Sequence, residues 1–416
     1  MRSQEVVVAE IGMPPEKGDR WKAMRVRNVK YYVIGQSLSM VGSFVQGFAQ
    51  TILILRLSPS PQVFTAIIIL QSVPLLLFGS WGGLIADRID NRLILILTSG
   101  LSLTTAGVLA WLVHIGGASI GRMQVLALLF GVVSTFERPA AQAILSELAG
   151  PNDMANAVAL NAMIPPIARL LGPVIAGILV ETVELAWCFA INAVSYLAVI
   201  VAVCMLRSAE FYPRRKTERA KGQLRDGLRY AWQTPSVRTP LIAMLVVGTL
   251  AFNFTTVMPL MNRFSFGNSS RWLTTALSAS AIGSLIGGAV LAGKRESSQR
   301  TLALAAVAFG VSLLALALAP VVWVWVLVGI PVGIAATWFT TAVTTLLQRN
   351  SSPPMLGRVM ALFGIAFMGT TPIGATLVGY LTEHVDARAP FILASIATTA
   401  CGLLLLRAIP HEITTS

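Results

Sequence analysis

The chain has 416 residues, of which 55% are hydrophobic and only 12% are charged. A soluble fold carries about 25% charged residues, so this composition excludes a set of soluble domains and indicates a lipid bilayer. The formal net charge of +13 would suit a nucleic-acid partner, but the basic residues cluster between apolar runs. The three cysteines and three histidines are too scattered for a disulfide framework, a metal site or a catalytic dyad.

Twelve apolar runs follow a polar, basic tail at 1–30, which has no signal-peptide pattern and is interpreted as a retained cytoplasmic tail. Each run is close to the ~20 residues that span a ~30 Å hydrocarbon core. Backbone polar groups cannot stay unpaired in lipid, so runs of this length fit helices rather than barrel strands. The predicted helices lie at about 31–55, 63–86, 93–114, 122–145, 155–180, 186–206, 239–262, 271–293, 300–319, 321–346, 357–381 and 386–408.

Lysine and arginine are distributed unevenly between the two sides that these helices define. With the N-terminus inside, the inside loops and tails hold 24 of the 31 basic residues, and the outside loops hold five. This bias predicts that both termini are cytoplasmic, in a multi-pass protein of the bacterial inner membrane. The basic excess therefore reflects topology, and no nucleic-acid partner is expected.

The longest inside segment, 207–238, divides the chain into a six-helix bundle at 31–206 and another at 239–408, followed by a cytoplasmic tail at 409–416. Apolar spacing at Leu224 and Leu228 suggests a short surface helix within this segment. We interpret the segment as a solvated linker, with a sensor of lipid headgroups as the alternative.

Small residues recur at matching positions in the two bundles, at a spacing near 200 residues. Such residues let membrane helices pack backbone to backbone. The pattern predicts an all-α integral membrane protein with twelve transmembrane helices in two pseudo-symmetric six-helix bundles, a transporter architecture with its substrate site at their interface. The matching segments are Gly79–Ala86 with Gly283–Leu291, and Gly172–Gly177 with Gly369–Gly374.

Polar side chains form stripes along three predicted helices, and lipid-facing polar groups would be costly. Two readings remain open: hydrogen bonding within a tight bundle, or the lining of a cavity, which we favour because aromatic residues flank the stripes. Apolar walls with sparse polar groups suit an amphipathic organic solute rather than an inorganic ion. The candidate cavity residues are Gln36, Ser39, Ser43, Gln46, Gln50, Arg138, Asn253, Thr256, Thr337, Trp338, Thr341 and Thr344.

The second inside loop, Gly83–Arg92, resembles the loop signature of the major facilitator superfamily, in which a glycine precedes Asp-Arg and a further basic residue. Other segments resemble the branch that contains bacterial siderophore and multidrug exporters. Those segments are Gln36–Ser39, Glu137–Ala140, Asn156–Asn161, Ala168–Pro173 and Gly357–Met360. The resemblance runs from about residue 25 to 405 and implies the fold of that superfamily.

The resemblance also implies a gating latch at the inside face, made of Asp87, Arg88 and Arg92. In the superfamily the loop aspartate caps a neighbouring helix end and pairs with basic residues when the transporter faces outward. The chain departs from the pattern in two places. The matching loop of the second bundle lacks the aspartate, and the helix-four arginine stands at Arg138 rather than at Ala141.

Glu137 is the only carboxylate clearly inside a predicted helix. It lies roughly 22 Å from the outer end of that helix, at ~1.5 Å per residue, and so nearer the cytoplasmic face. We expect it either to complete the latch with Arg88 or Arg92, or to be the proton-coupling carboxyl, or to form a plain pair with a neighbouring arginine.

Arg169 lies roughly 21 Å from the cytoplasmic end of the fifth helix, too far along the axis to pair with Glu137. It is expected either to neutralise an anionic substrate or to stabilise the outer half of the bundle. Gly172 and Pro173 follow it, and Pro permits a bend. Similar Gly-Pro segments mark antiporters of the superfamily, which favours export.

No Walker loop or HExxH motif occurs, so no enzyme is expected. The sequence predicts a monomeric secondary transporter that exports an amphipathic organic molecule by alternating access, driven by the proton gradient and without a cofactor or metal. The alternatives are a nutrient importer or lysolipid flippase on the same fold, and a sensor or scaffold that has lost transport.

Overall fold

The computed structural model describes residues 22–150, 153–212, 223–267, 269–291 and 298–408. Within these ranges twelve helices are long and apolar enough to cross a membrane, as predicted. They are α1 Arg27–Leu57, α2 Pro61–Arg88, α3 Asn91–His114, α4 Ile120–Leu148, α5 Met154–Thr182, α6 Leu185–Cys204, α7 Pro235–Ser265, α8 Ser270–Leu291, α9 Gln299–Ala317, α10 Val322–Asn350, α11 Pro353–His384 and α12 Ala389–Ala408.

The helices end close to where the sequence placed them, but two are interrupted. In α7 the helix stops at Ala251 and restarts at Phe254, and the Asn253 side chain donates to the carbonyl of Thr249 at 2.6 Å. In α11 a π-helical turn at 365–369 precedes Pro372, which has no N–H to continue the backbone ladder. Both interruptions occur in the second half of the chain, at equivalent depths in neighbouring helices.

The loops at the two ends of the membrane-spanning helices define two faces of the molecule. Residues 22 and 408 and the segment between α6 and α7 lie on one side, which we call the linker face. The loops at 58–60, 115–119, 183–184, 266–269, 318–321 and 385–388 lie on the other, the distal face. Residues 1–21 of the predicted N-terminal tail, the predicted C-terminal tail at 409–416, the basic part of the linker at 213–222, and the loop at 292–297 lie outside the described residues.

Glycine contacts repeat between the N-half (α1–α6) and the C-half (α7–α12). Gly131 of α4 lies against the backbone carbonyl of Gln71 in α2, and Gly333 of α10 lies against that of Ser280 in α8. A Cβ at either position would clash with backbone, so close helix packing requires glycine there. The two glycines are 202 positions apart, close to the predicted spacing of the repeat.

The same offset relates two further glycines. Gly172 of α5 packs on Phe44 of α1, and Gly374 of α11 packs on Thr249 and Asn253 of α7. The predicted internal repeat is thus visible as equivalent helix pairs held by equivalent glycines, and Gly172 serves this packing.

The halves are joined at the distal face and diverge toward the linker face. Gly177 of α5 packs on Thr274 of α8, and Gly379 of α11 packs on Thr65 of α2. α2 packs along the distal part of α11, Thr371–His384, whereas no comparable packing joins α2 to the part at Pro353–Gly364. The space between the halves therefore widens toward the linker face; we call it the vestibule.

The predicted surface helix in the linker is present at Gln223–Gln233 and docks on the C-half. Asp226 forms an ion pair with Arg358 of α11 at 3.5 Å. The Tyr230 hydroxyl accepts a hydrogen bond from the backbone N–H of Ser352, which lowers the pKa of the phenol. This helix is therefore bound to the start of α11.

Candidate transport vestibule

Two arginines in the middle of the N-half are exposed although they lie deep within their helices. Arg138 of α4 and Arg169 of α5 are surrounded by protein, yet their side chains are exposed to solvent. That combination is expected on the wall of an internal, water-filled space and not on the lipid-facing surface. They lie about 15 Å and about 22 Å from the linker-face ends of their helices, at ~1.5 Å per residue.

The orientation of Arg169 follows from its neighbours on α5. At about 100° per residue, Arg169 falls between Gly172, which packs on α1, and Gly177, which packs on α8. The exposed apolar residues of α5 lie on the opposite side, as expected for a face toward lipid. Those residues are Met163, Ile167, Leu171, Val174 and Ile178.

Glu137 lies one residue before Arg138 but turns toward the interior of the N-half. It is half-buried, and its charge acts on Tyr32 of α1, on Tyr196 of α6 and on Arg138. No hydrogen bond or ion pair of its carboxylate is found among the described residues. It therefore sits between the packed interior of the N-half and the vestibule.

The polar stripe of α1 points partly into the N-half. Gln46 Oε1 accepts a hydrogen bond from Asn192 Nδ2 of α6 at 2.8 Å, and Gln50 Oε1 accepts one from Gln71 Nε2 of α2 at 3.2 Å. Ser43 lies 3.2 Å from the Tyr196 hydroxyl. Ser39 and Gln50 are buried in the N-half, where Gln50 borders a small cavity with Gln46 and Gln71, and their place in the substrate cavity stays a prediction. The groups satisfy each other between helices because lipid and packed side chains offer no other partner.

The remaining residues of the predicted cavity lining are also either buried or half-buried. Asn253 and Thr256 are buried, Asn253 beside Gly374 of α11, and their place in the cavity also stays a prediction. Thr337 donates to the carbonyl of Ser284 in α8, and Thr344 donates to carbonyls of its own helix. For the half-buried members a place on the cavity wall stays a prediction. They are Gln36, Ser43, Gln46, Thr337, Trp338, Thr341 and Thr344.

The latch residues lie at the linker face, where α2 ends and α3 begins. Asp87 and Arg88 occupy the exposed last turn of α2, so the cap of α3 falls to Asp90, whose side chain accepts from the Arg92 N–H at 2.9 Å. A role of Asp87 in capping a neighbouring helix end stays a prediction.

Arg92 is bound within the N-half. Its guanidinium donates to Ser208 Oγ and to the carbonyl of Val203 at 3.2 Å, at the C-terminal end of α6, where a cation is favourable. It also lies over the Phe211 ring, 5.9 Å from the centroid. The predicted pairing of Glu137 with Arg88 or Arg92 is not found among the described residues.

The distal closure contains polar contacts that the sequence did not reveal. Glu383 at the end of α11 accepts hydrogen bonds from Ser60 Oγ at 3.2 Å and from the Gln62 N–H at 3.3 Å, at the N-terminus of α2. Arg263 at the end of α7 donates to the carbonyl of Leu55 in α1. Each group is a lone charge near a helix end, a pattern too common in membrane proteins to single out from sequence.

The sequence also missed Asn192 and Tyr196, which face α1 from α6. A polar pair at a spacing of four in an otherwise apolar helix was the available signal. Among the described residues, no three His, Cys, Asp or Glu side chains lie together as a metal site.

Residues 20–414 match the family described as transmembrane secretion effectors. The chain belongs to this family of the major facilitator superfamily. Its members are transporters and not enzymes. The predicted superfamily and fold are thereby confirmed.

Individual relatives of this transporter are distant but span most of the chain. The staphyloferrin A transporter of Staphylococcus aureus is 24% identical over 374 residues, which cover 89% of this chain and 93% of the relative. Macrolide efflux protein A of Streptococcus pyogenes is 22% identical over 391 residues, which cover 91% and 94%. A crystal structure of a peptide transporter POT matches with a TM-score of 0.73 and 13% identity, covering 91% of this chain and 93% of that chain, which shows the shared fold.

Proposed function

We propose that the chain exports an amphipathic organic molecule across the bacterial inner membrane by alternating access, with the proton gradient as the source of energy. The observation that carries the proposal is the vestibule, closed at the distal face by contacts between the halves and widening toward the linker face. The export direction is supported by the names of two relatives, which are called a macrolide efflux protein and a multidrug efflux pump.

The linker face is cytoplasmic in this proposal, because it carries most of the lysines and arginines. A cargo molecule then enters the vestibule from the cytoplasm or the inner leaflet. Green fluorescent protein fused after Ser416 should fluoresce, and alkaline phosphatase at the same position should be inactive. The reverse pattern would overturn the orientation and the export direction with it.

Alternating access requires the distal contacts to separate while the linker face closes. The pairs Gly177–Thr274 and Gly379–Thr65 are equivalent in the two halves, and each joins one half to the other. They contain only small side chains and no buried ion pair, so separating them exposes few strong interactions. Glu383 and Arg263 form hydrogen bonds to helix ends that water can replace.

Glu137 is the candidate proton carrier. It is the one carboxylate among the described residues that lies deep within a membrane-spanning helix, and it forms no ion pair with any of them. The neighbouring Tyr32 and Tyr196 lie close enough to respond to its charge.

The distal contacts offer a direct test of alternating access. A Cβ placed on Gly177 lies 3.3 Å from the Thr274 Cβ, and one on Gly379 lies 3.3 Å from the Thr65 Cβ. Both separations are close to the Cβ–Cβ distance of a disulfide, about 3.5–4.5 Å. We therefore propose the double variant G177C/T274C, made in a background where Cys188, Cys204 and Cys401 are replaced by serine.

The variant is reconstituted in everted vesicles energised with ATP, with rhodamine 6G as the probe. Oxidation should stop dye uptake, and dithiothreitol should restore it, whereas each single cysteine variant should be indifferent to both reagents. Full transport by the cross-linked protein would overturn alternating access through the distal face. Absence of ATP-dependent uptake of rhodamine 6G and of carboxyfluorescein by the reduced protein would count against export.

A further inference from the structure

Three charged residues lie deep within the described membrane-spanning helices, and all three belong to the N-half: Glu137, Arg138 and Arg169. The other charged residues of these helices lie within a few turns of their ends. A charge near the middle of the bilayer is costly and usually marks a pathway or a binding site. The vestibule thus has a charged wall on one side only.

Neither guanidinium has a protein partner among the described residues. No ion pair or hydrogen bond of Arg138 or Arg169 is found, although arginine carries five donors and cannot lose its proton. Arg92 and Arg263 provide the contrast, because each uses its guanidinium to bind a helix C-terminal carbonyl. Arg92 and Arg263 are thus bonded to protein groups, whereas the two vestibule arginines are not.

The C-half repeats the positions but not the charges. The offset of 202 that relates Gly131 to Gly333 and Gly172 to Gly374 places Thr340 opposite Arg138 and Thr371 opposite Arg169. The helices of the C-half that correspond to α4 and α5 therefore pack without an arginine at either position. A purely structural reason for the two arginines is weakened by this comparison.

The two arginines differ in the charges that lie near them. The charge of Glu137 acts on Arg138 and offsets part of it, whereas no charged neighbour acts on Arg169. At about 22 Å from the linker-face end of α5, Arg169 is also too deep to reach lipid headgroups with its own length. Besides water, an acidic group on a molecule inside the vestibule is the partner that remains.

We propose that the vestibule binds an organic anion, with its acidic group held chiefly by Arg169 and secondarily by Arg138. This inference rests on the proposed export function and narrows its cargo to molecules that carry a carboxylate or a chemically similar acid. Guanidinium binds such groups through paired hydrogen bonds, which gives geometry as well as charge recognition. The half-buried aromatic Trp338 and the neutral hydroxyls of the C-half would contact the remainder of the molecule.

The test measures binding without transport, using two xanthene dyes of opposite charge. Purified full-length chain in nanodiscs is titrated with carboxyfluorescein, an anion, and with rhodamine 6G, a cation, and fluorescence polarisation is recorded. Carboxyfluorescein should bind at least tenfold more tightly than rhodamine 6G. R169Q should weaken carboxyfluorescein binding about tenfold or more and R138Q by less, while R169K should retain much of the affinity.

Arg271, exposed at the distal start of α8, supplies the matched control, and R271Q should bind both dyes as the unaltered chain does. Sodium benzoate should displace carboxyfluorescein more effectively than sodium phosphate at equal ionic strength, which separates an organic anion from a simple anion site. Size-exclusion chromatography confirms that each variant is folded. If R169Q does not fold, R169K still tests the contribution of Arg169.

Equal affinity for the two dyes, or carboxyfluorescein binding unchanged in both R169Q and R169K, would overturn the proposal. Equal displacement by phosphate would overturn the organic part of it. These results leave export of a neutral or cationic molecule intact. Conversely, arginine-dependent carboxyfluorescein binding by a chain that transports neither dye would support the site and contradict the proposed export.

Discussion

The N-half and the C-half share their helix packing but differ in what fills their interiors. In the N-half, hydrogen bonds such as Gln46 to Asn192 surround Glu137. In the C-half the position equivalent to Glu137 is Phe339, which belongs to a cluster of aromatic rings. The other rings of the cluster are Phe252, Phe254, Phe309, Phe367 and Phe391. Backbone geometry is thus set by small residues in both halves, which leaves the larger side chains free to diverge.

If glycine sets the packing, enlarging one of these glycines should have the largest effect. G333L places a side chain against the Ser280 carbonyl and should prevent folding or destabilise the chain by about 1–3 kcal/mol. G288L is the matched control on α8, because a Cβ there meets nothing within 4 Å. Thermal unfolding in detergent, read by tryptophan fluorescence, compares the two. Equal stability of G333L and G288L would contradict the packing argument.

The charge inside the N-half should be essential for proton-driven transport, whereas the aromatic interior of the C-half should not be. E137Q keeps the shape of the side chain but cannot exchange a proton, so uptake of carboxyfluorescein into everted vesicles under a pH gradient should fall by at least tenfold. E181Q, at the exposed distal end of α5, removes a carboxylate outside the vestibule and should transport normally. Normal pH-driven transport by E137Q would reject Glu137 as the proton carrier.

The charges of Arg138 and Arg169 also predict how transport depends on the membrane potential. An organic anion that is bound at Arg138 and Arg169 and released outside without a proton would carry net negative charge out of the cytoplasm. Export of an anion would then draw on the membrane potential, about 2.3 kcal/mol per charge per 100 mV.

This reasoning predicts that carboxyfluorescein uptake into everted vesicles responds to a lumen-positive potassium diffusion potential set with valinomycin, without a pH gradient. Uptake should rise several-fold over that at zero potential, and E137Q should retain most of the response. R169Q should lose it. A response to the pH gradient alone would indicate that the anion is exchanged for protons.

The two halves also differ at the linker face, where only the N-half has the Asp87 loop. D87N should lower efflux several-fold at unchanged expression if the carboxylate helps to close this face. D90N is the control from the same loop, because asparagine also caps helices well and should preserve the start of α3. Efflux undiminished in D87N, or diminished equally in D90N, would remove the latch assignment. Dye accumulation in cells that lack their own efflux pumps is the measurement.

Much of this architecture could be predicted from the sequence because its causes are local. Runs of apolar residues fix the spans, and glycines at matched positions fix the helix pairs. The polar stripes were harder, since five residues of α1 from Gln36 to Gln50 cover an arc of about 80°. A stripe that wide meets more than one neighbour, and the sequence does not say which part faces α6 and which part faces water.

For Arg169, too, the sequence predicted only part of the environment of the side chain. Its depth followed from counting residues, but its exposure depended on which helices flank α5. The interruption of α7 at Asn253 also has no local signal, because a single asparagine is compatible with a continuous helix. Its side chain bonds the Thr249 carbonyl at the point where Gly374 of α11 packs closely, and a side chain at 374 would clash with both groups.

The smallest expected effect separates the two readings of the α1 stripe. If Gln46 serves packing, Q46L and N192L should each lower stability, and the double variant should lose less than the sum, because each single change leaves the other amide without its partner. Hydrogen bonds between membrane helices couple by about 0.6 kcal/mol on average, so a coupling of this order is expected. If Gln46 contacts cargo instead, Q46L should weaken dye binding while its stability change adds to that of N192L. The bond to Asn192 makes the first outcome the expected one, since an amide already paired within the N-half would have to give up that bond to hold a molecule in the vestibule.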